Sequence, residues 1–187
     1  FFYSHGLIMF TIIIFTLERH FLLKRSIDYY KNFDCNILIA DSSEKKMNYV
    51  FPDNVVYRHL PGMHFSQKIL FMAETITTPY VCLSADDDYL LESSLRTGAN
   101  FLNDNLDFVS VQGKYLKFEV VDEKIVFSPK YGPEASSYSV TNDDIYSRMV
   151  RAFNPYMHQV LSLQRKDVFI SSIRATSSLD DSHHITM

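Results

Sequence analysis

Apolar positions along this chain follow two rhythms. Phe10–Phe15 (FTIIIF), Asn36–Ala40 (NILIA) and Tyr80–Ser84 (YVCLS) are short, nearly unbroken apolar runs rich in β-branched residues, as expected of strands covered on both faces. Val55–His59 makes another strand, stopped by the turn signal Pro61-Gly62. Between the runs the spacing changes to three and four. Leu22, Leu23, Ser26, Ile27 and Tyr30 line one face of a helix predicted over Glu18–Asn32. Ile69, Leu70, Ala73 and Ile76 line another, N-capped by Ser66, running through Ile76 and stopped before Pro79. A third helix is predicted over Glu92–Leu102. Strands alternating with helices in this way imply a parallel sheet with helices on both faces.

The pattern loosens after residue 105. Phe108–Val111 reads as a strand, and Tyr115–Val121 with Lys124–Ser128 as a hairpin around Asp122-Glu123. Tyr131–Thr141 is a polar loop, and Asn142 or Asp143 caps a short helix to Ala152. A strand-like Val160–Leu163 and a helix over Lys166–Arg174 follow, then a polar tail over Ala175–Met187. A regular half (9–105) and an irregular half (106–187) are expected to form one domain.

Composition narrows the function. At 187 residues, with 47 % hydrophobic and 21 % charged, the chain is long enough for one domain with a real core. The net charge of −4 argues against a general nucleic-acid-binding surface, so nucleic acid is not an expected partner. An anionic ligand must be met locally. Cys35 and Cys82 lack metal-ligand spacing, and Cys82 falls inside an apolar strand, which fits a small core residue in a reducing, cytoplasmic setting. The chain opens on Phe1. The apolar run Phe1–Leu17 lacks a signal-peptide pattern and is short for a span, and Phe1–Ile8 reads as an extension upstream of a start at Met9. Its apolar character leaves room for a peripheral contact at the inner face of a membrane.

Chemistry concentrates at the strand ends. Asp86, Asp87 and Asp88 directly follow the Tyr80–Ser84 strand, and Asp41 follows Asn36–Ala40. Clustered carboxylates raise one another's pKa and oppose close packing, unless a cation collects them. Oxygen ligands suit Mg²⁺ or Mn²⁺, whose remaining positions go to water and phosphate. Alternation lets Asp86 and Asp88 face one site while Asp87 faces another. A solvated turn or a helix cap explains the triplet equally simply, and Asp41 could serve as a turn residue. In a parallel sheet, however, ligands sit outside the carboxyl ends of the strands, so Asp41 and the triplet are expected to share one pocket. No GxxxxGK[ST], GxGxxG or GxSxG occurs, which sets aside P-loop, dinucleotide-oxidoreductase and hydrolase-elbow chemistry. A nucleotidyltransferase would need a glycine in TLERHFLLKR, and there is none.

FTIIIFTLERHFLLKRSIDYY, NILIADSS and KILFMAETITTPYVCLSADDDYLL, in that order, resemble the nucleotide-sugar-binding half of a family 2 glycosyltransferase. The resemblance implies a GT-A (Rossmann-like) α/β fold, with a mostly parallel sheet flanked by helices and a more irregular C-terminal acceptor part, here cut short. It implies inverting transfer of a sugar from a UDP-sugar to a hydroxyl on a glycan or lipid-linked acceptor, assisted by Mg²⁺ or Mn²⁺. Thr16, Leu17 and Glu18 would lie under base and ribose, and Asp41 would accept from the base edge or ribose. Asp86 would face ribose or sugar, Asp88, with Asp86, would bind the metal, and Asp87 could share either role because the triple repeat leaves the register open. Lys68 would touch the donor, although the position alone reads as an exposed helix lysine, as Glu18 alone reads as a first-turn helix acid. Asp180 and Asp181, or Asp143 and Asp144, are candidates for the catalytic base, and His183 or His184 for a further metal ligand. Tyr156 and His158 fall on the acceptor side. The family's Gln-x-x-Arg-Trp motif is missing, which disfavours a processive synthase. The alternative function is a non-catalytic or truncated module that binds nucleotide-sugar.

Overall fold

The strands are β1 (Phe10–Thr16), β2 (Asn36–Asp41), β3 (Val55–His59), β4 (Tyr80–Ala85), β5 (Ser110–Val111), β6 (Leu116–Val121), β7 (Lys124–Pro129) and β8 (Leu163–Arg165). The helices are α1 (His20–Tyr30), α2 (Phe65–Ala73), α3 (Glu92–Asp104), α4 (Ile145–Phe153) and α5 (Lys166–Ser182). The computed structural model describes residues 9–133, 135 and 138–182, and over 178–182 the backbone alone. The expectations for Phe1–Ile8 and for His183 and His184 lie outside the described residues. Gln112–Gln159 is a compact unit by itself, and the described residues on either side of it form the other.

The larger unit holds a mainly parallel six-stranded sheet in the order β3-β2-β1-β4-β8-β5. β1 is central and pairs in parallel with β2 and β4, and β2 pairs in parallel with β3. β8 returns antiparallel against β4 and β5. The period of two along β1 divides the core. Phe10, Ile12 and Ile14 pack with Leu23, Ile27 and Tyr30 of α1 and with Leu95, Ala99 and Leu102 of α3. Ile13 packs on the other face with Ile69, Met72 and Ala73 of α2 and Phe169 of α5. Every one of these is under 7 % exposed, so a continuously apolar β1 is what two covered faces require.

Several boundaries move. α1 begins at His20, because Glu18 takes a left-handed backbone (φ 54°) that a helix cannot contain. α2 begins at Phe65 with His64 as N-cap and ends at Ala73; Ser66 is inside it and buried. The strand expected at Phe108–Val111 is shorter, at Ser110–Val111, and the one expected at Val160–Leu163 is displaced to Leu163–Arg165. α5 continues through Ser182, where a polar tail was expected. Among the described residues no helix is long and apolar enough to cross a membrane.

In the smaller unit β6 and β7 form a hairpin. Asp122 and Glu123, both at positive φ (48° and 62°), make the primed turn that matches strand twist. Asp144, one residue past the predicted caps, N-caps α4 by accepting from Ser147 N at 2.8 Å. No residue of β6, β7 or α4 is buried.

Candidate functional site

The parallel register brings three chain segments level at the carboxyl edge of the sheet. Thr16 pairs with Asp41 across β1 and β2, and Phe15 pairs with Ala85 across β1 and β4, which sets Asp86 beside Thr16. Asp41 and Asp86 therefore flank the tip of β1, where strand order reverses and ligands bind in open α/β sheets.

Asp41 has no exposed surface. Its Oδ1 accepts from Ser43 N at 2.8 Å. Its Oδ2 accepts from the Tyr57 hydroxyl at 2.6 Å and lies 2.8 Å from His20 Nε2. Burial by itself would raise this carboxyl's pKa, but the hydrogen bonds from Ser43, Tyr57 and His20 outweigh it and hold the group below the ordinary carboxylate range. Burial, and then the hydrogen bond to Asp41, push the Tyr57 phenol up.

Asp86 is also fully buried. Thr16 Oγ1 donates to its Oδ2, Arg19 Nε donates to Oδ2 at 3.2 Å, and Arg19 Nη2 pairs with Oδ1. Arg19 Nη1 reaches Asp87 Oδ2 at 3.1 Å. Helix α1 fastens the loop that carries the triplet. Ser26 Oγ donates to the Asp86 carbonyl at 2.6 Å, and the Tyr30 hydroxyl donates to the Asp88 carbonyl at 3.2 Å and accepts from Leu90 N at 2.8 Å.

Lys68 is not an exposed helix lysine. It is 4 % exposed. Its Nζ donates to the Thr16 carbonyl at 3.0 Å and to Ser42 Oγ at 2.8 Å. Among the described residues no carboxylate lies within ion-pair distance of it. Desolvation lowers its pKa, and the fields of Asp41 and Asp86 offset this only in part. A cleft of about 650 Å³ opens here, lined by Thr16, Leu17, Arg19, Ser42, Lys68 and the segment Gly62–Phe65 that leads into α2. Asp41 and the triplet do not line it themselves, contrary to expectation. They reach it through partners: Ser42 follows Asp41, and Arg19 is paired to Asp86 and Asp87.

The other predicted residues fall into place around this cleft or outside it. Thr16 is buried at its floor, and Leu17 is 57 % exposed at its rim. Glu18 is not a helix acid. Its Oε1 accepts from Glu44 N at 2.6 Å, and its own N–H donates to Ser43 Oγ at 2.7 Å, so it staples the loop after β1 to the loop after β2. Asp87 and Asp88 are exposed. Asp180 and Asp181 fall at the end of α5, where side chains are outside the described atoms. Asp143, Asp144, Tyr156 and His158 belong to the smaller unit, where Asp144 is committed to its cap. Arg19, His20 and Tyr57 carry the geometry and were not expected to. A lone arginine in the strand–helix turn, opposite three carboxylates in a negatively charged chain, was the signal available for the first; partners this remote in sequence gave none for the other two.

A divalent cation at this edge would draw on few protein ligands. Among the described residues no three His, Cys, Asp or Glu side chains gather into a cage. Arg19 pairs with both Asp86 and Asp87. Asp86 spends its oxygens on Thr16 and Arg19. A cation would therefore be held from Asp88 and Asp87, with water and phosphate completing its shell, as Mg²⁺ and Mn²⁺ accept.

No family model and no curated protein matches the sequence. Solved structures do match. S. aureus TarS 1-349 is similar at 12 % identity and a TM-score of 0.53, over 88 % of this chain and 49 % of that one. The same TarS fragment in complex with UDP gives 12 %, 0.52 and the same coverage. Another S. aureus TarS structure gives 11 % and 0.50, over 85 % of this chain and 28 % of that one. The fold is thus a GT-A-like one, and the chain spans about half the length of the first of these or less.

Proposed function

We propose that this chain transfers a sugar from a nucleoside-diphosphate-sugar, UDP-sugar by preference, to an acceptor hydroxyl on a glycan or lipid-linked molecule. One observation carries this reading: a buried ammonium, Lys68, whose own hydrogen bonds go only to neutral acceptors, opens on a cleft at the strand tips that Arg19 also lines. Removing a charge from water costs several kcal/mol unless an opposite charge meets it. An anion in the cleft would meet this one. The GT-A-like fold and the UDP complex of TarS support a diphosphate as that anion.

The chemistry follows from where charge moves. As the sugar leaves, negative charge grows on the departing diphosphate, and Lys68 and Arg19 are placed to stabilise it without rearranging water. Lys68 is positioned for this by the Thr16 carbonyl and Ser42, and Arg19 by Asp86. A bound Mg²⁺ or Mn²⁺, held from Asp88 and Asp87, would add Lewis-acid stabilisation of the same charge. The acceptor hydroxyl must lose a proton, which calls for a carboxylate base on the face of the sugar opposite the diphosphate if transfer inverts. Asp180 and Asp181 remain our candidates for that base.

Thermal unfolding with UDP, with and without Mn²⁺, tests the binding step, because a ligand selective for the native state raises the melting temperature by mass action. We expect a rise with UDP and a larger one with Mn²⁺ present. Release of UDP from a panel of UDP-sugars then separates a transferase from a module that only binds. No shift with any nucleoside diphosphate under either condition would overturn the proposal.

A further inference from the structure

Arg19 divides its guanidinium between two unequal carboxylates. Toward Asp86 it makes a side-on pair, Nε and Nη2 each bonded to a different oxygen of a carboxylate with no exposed surface. Toward Asp87 the contact is looser, with Nη1 to Oδ2 at 3.1 Å and Nη2 to Oδ1 at 3.5 Å. There the arginine and aspartate side chains are 43 % and 49 % exposed. A pair to a fully buried carboxylate is costly to break because it strands that charge, whereas an exposed pair contributes little. Asp86 thus fixes where the guanidinium sits, and Asp87 holds its outer edge weakly, at the wall of the cleft that Lys68 also lines.

We propose, on the reading of the cleft as a nucleoside-diphosphate site, that Arg19 is a phosphate-binding residue held in place by Asp86 and surrendered by Asp87. The Asp87 carboxylate occupies the outer edge of the guanidinium. When the diphosphate enters, a phosphate oxygen takes that edge, because a doubly charged group outcompetes one exposed carboxylate for the same planar donors. Asp86 keeps its own pair throughout, so the guanidinium turns little. Asp87 is left without its counter-ion beside Asp88 as the phosphate arrives, so diphosphate and divalent cation would each favour the other's binding.

A double-mutant cycle tests the exchange. UDP affinity is measured calorimetrically in EDTA, so that no metal contributes, for the wild type, Asp87→Asn, Arg19→Gln and the double variant. Asp87→Asn removes the competitor and is expected to tighten UDP by about threefold or more, while Arg19→Gln weakens it by about tenfold or more. In the Arg19→Gln background Asp87→Asn should change affinity by less than about twofold. Arg19→Lys, which keeps the charge and loses the fork, should fall between wild type and Arg19→Gln. Asp87→Asn is a surface change that leaves folding intact, so it decides the matter even if Arg19→Gln does not fold. An unchanged affinity in Asp87→Asn, or an equal gain in both backgrounds, overturns the proposal and leaves the nucleotide site standing. Absence of UDP binding in the wild type with and without Mn²⁺ removes both.

Discussion

Under the proposed function, Lys68 is a single residue that trades stability for binding. Its ammonium is buried against a backbone carbonyl and a hydroxyl, and the lowered pKa records the strain of keeping it charged there. Because the native pKa lies below the unfolded-chain value, this penalty is present while the lysine is protonated and fades as pH rises toward 10.5. Lys68→Met should therefore leave the unliganded protein as stable as the wild type or stabilise it by up to about 1–4 kcal/mol, read by urea denaturation, while the UDP-induced rise in melting temperature disappears. Asp41 has the opposite sign. Its native pKa is depressed below 3.8, so its contribution is complete above that pH and is lost as pH falls through the native value. Asp41→Asn should cost about 1–3 kcal/mol at neutral pH by leaving buried donors poorly matched. As pH falls through that native value the variant and the wild type should converge in stability. The identity of these residues was plain in the sequence, but their partners were not. Asp41 stood out as an acid at a strand end, whereas Tyr57 and His20 reach it only because β3 and the start of α1 come to the same edge of the sheet.

At the scale of elements, legibility followed covering. β1, β2, β3 and β4, and the faces of α1, α2 and α3, were readable because each buries a fixed period of its own sequence. Their ends were less so, since caps and turns depend on a few local contacts. Glu18 looked like a helix acid until its bonds to Ser43 and Glu44 drew it into a left-handed turn. β5 and β8 are two and three residues long, too short to show a period. What holds them is packing against α3, where Gly98 lets the helix come close: a Cβ at that position would lie 2.9 Å from Val111 Cγ1 and 3.3 Å from Leu163 Cδ2. Gly98→Leu is accordingly expected to destabilise by about 1–3 kcal/mol through overpacking, measured by urea denaturation.

At the scale of the whole molecule, the two units differ in how much they bury. The larger contains both core clusters on either side of the sheet, and β6, β7 and α4 of the smaller bury nothing. Exposed hydrogen bonds and sparse apolar contact favour local opening, so native-state hydrogen exchange should show amides of β6, β7 and α4 exchanging well before those of β1 and β4. Slow exchange in β6, β7 and α4, equal to that in β1, would contradict this. The sequence by itself determined which segments become strands and helices, that four strands run parallel, and that carboxylates gather at their carboxyl ends, because periodicity and strand-end position are local properties. Only the tertiary structure decided which charge meets which. The pairing of Arg19 with Asp86, the burial of Lys68 and the enclosure of Asp41 arise between residues up to 67 positions apart, and such contacts exist only once the sheet register has set their strands side by side.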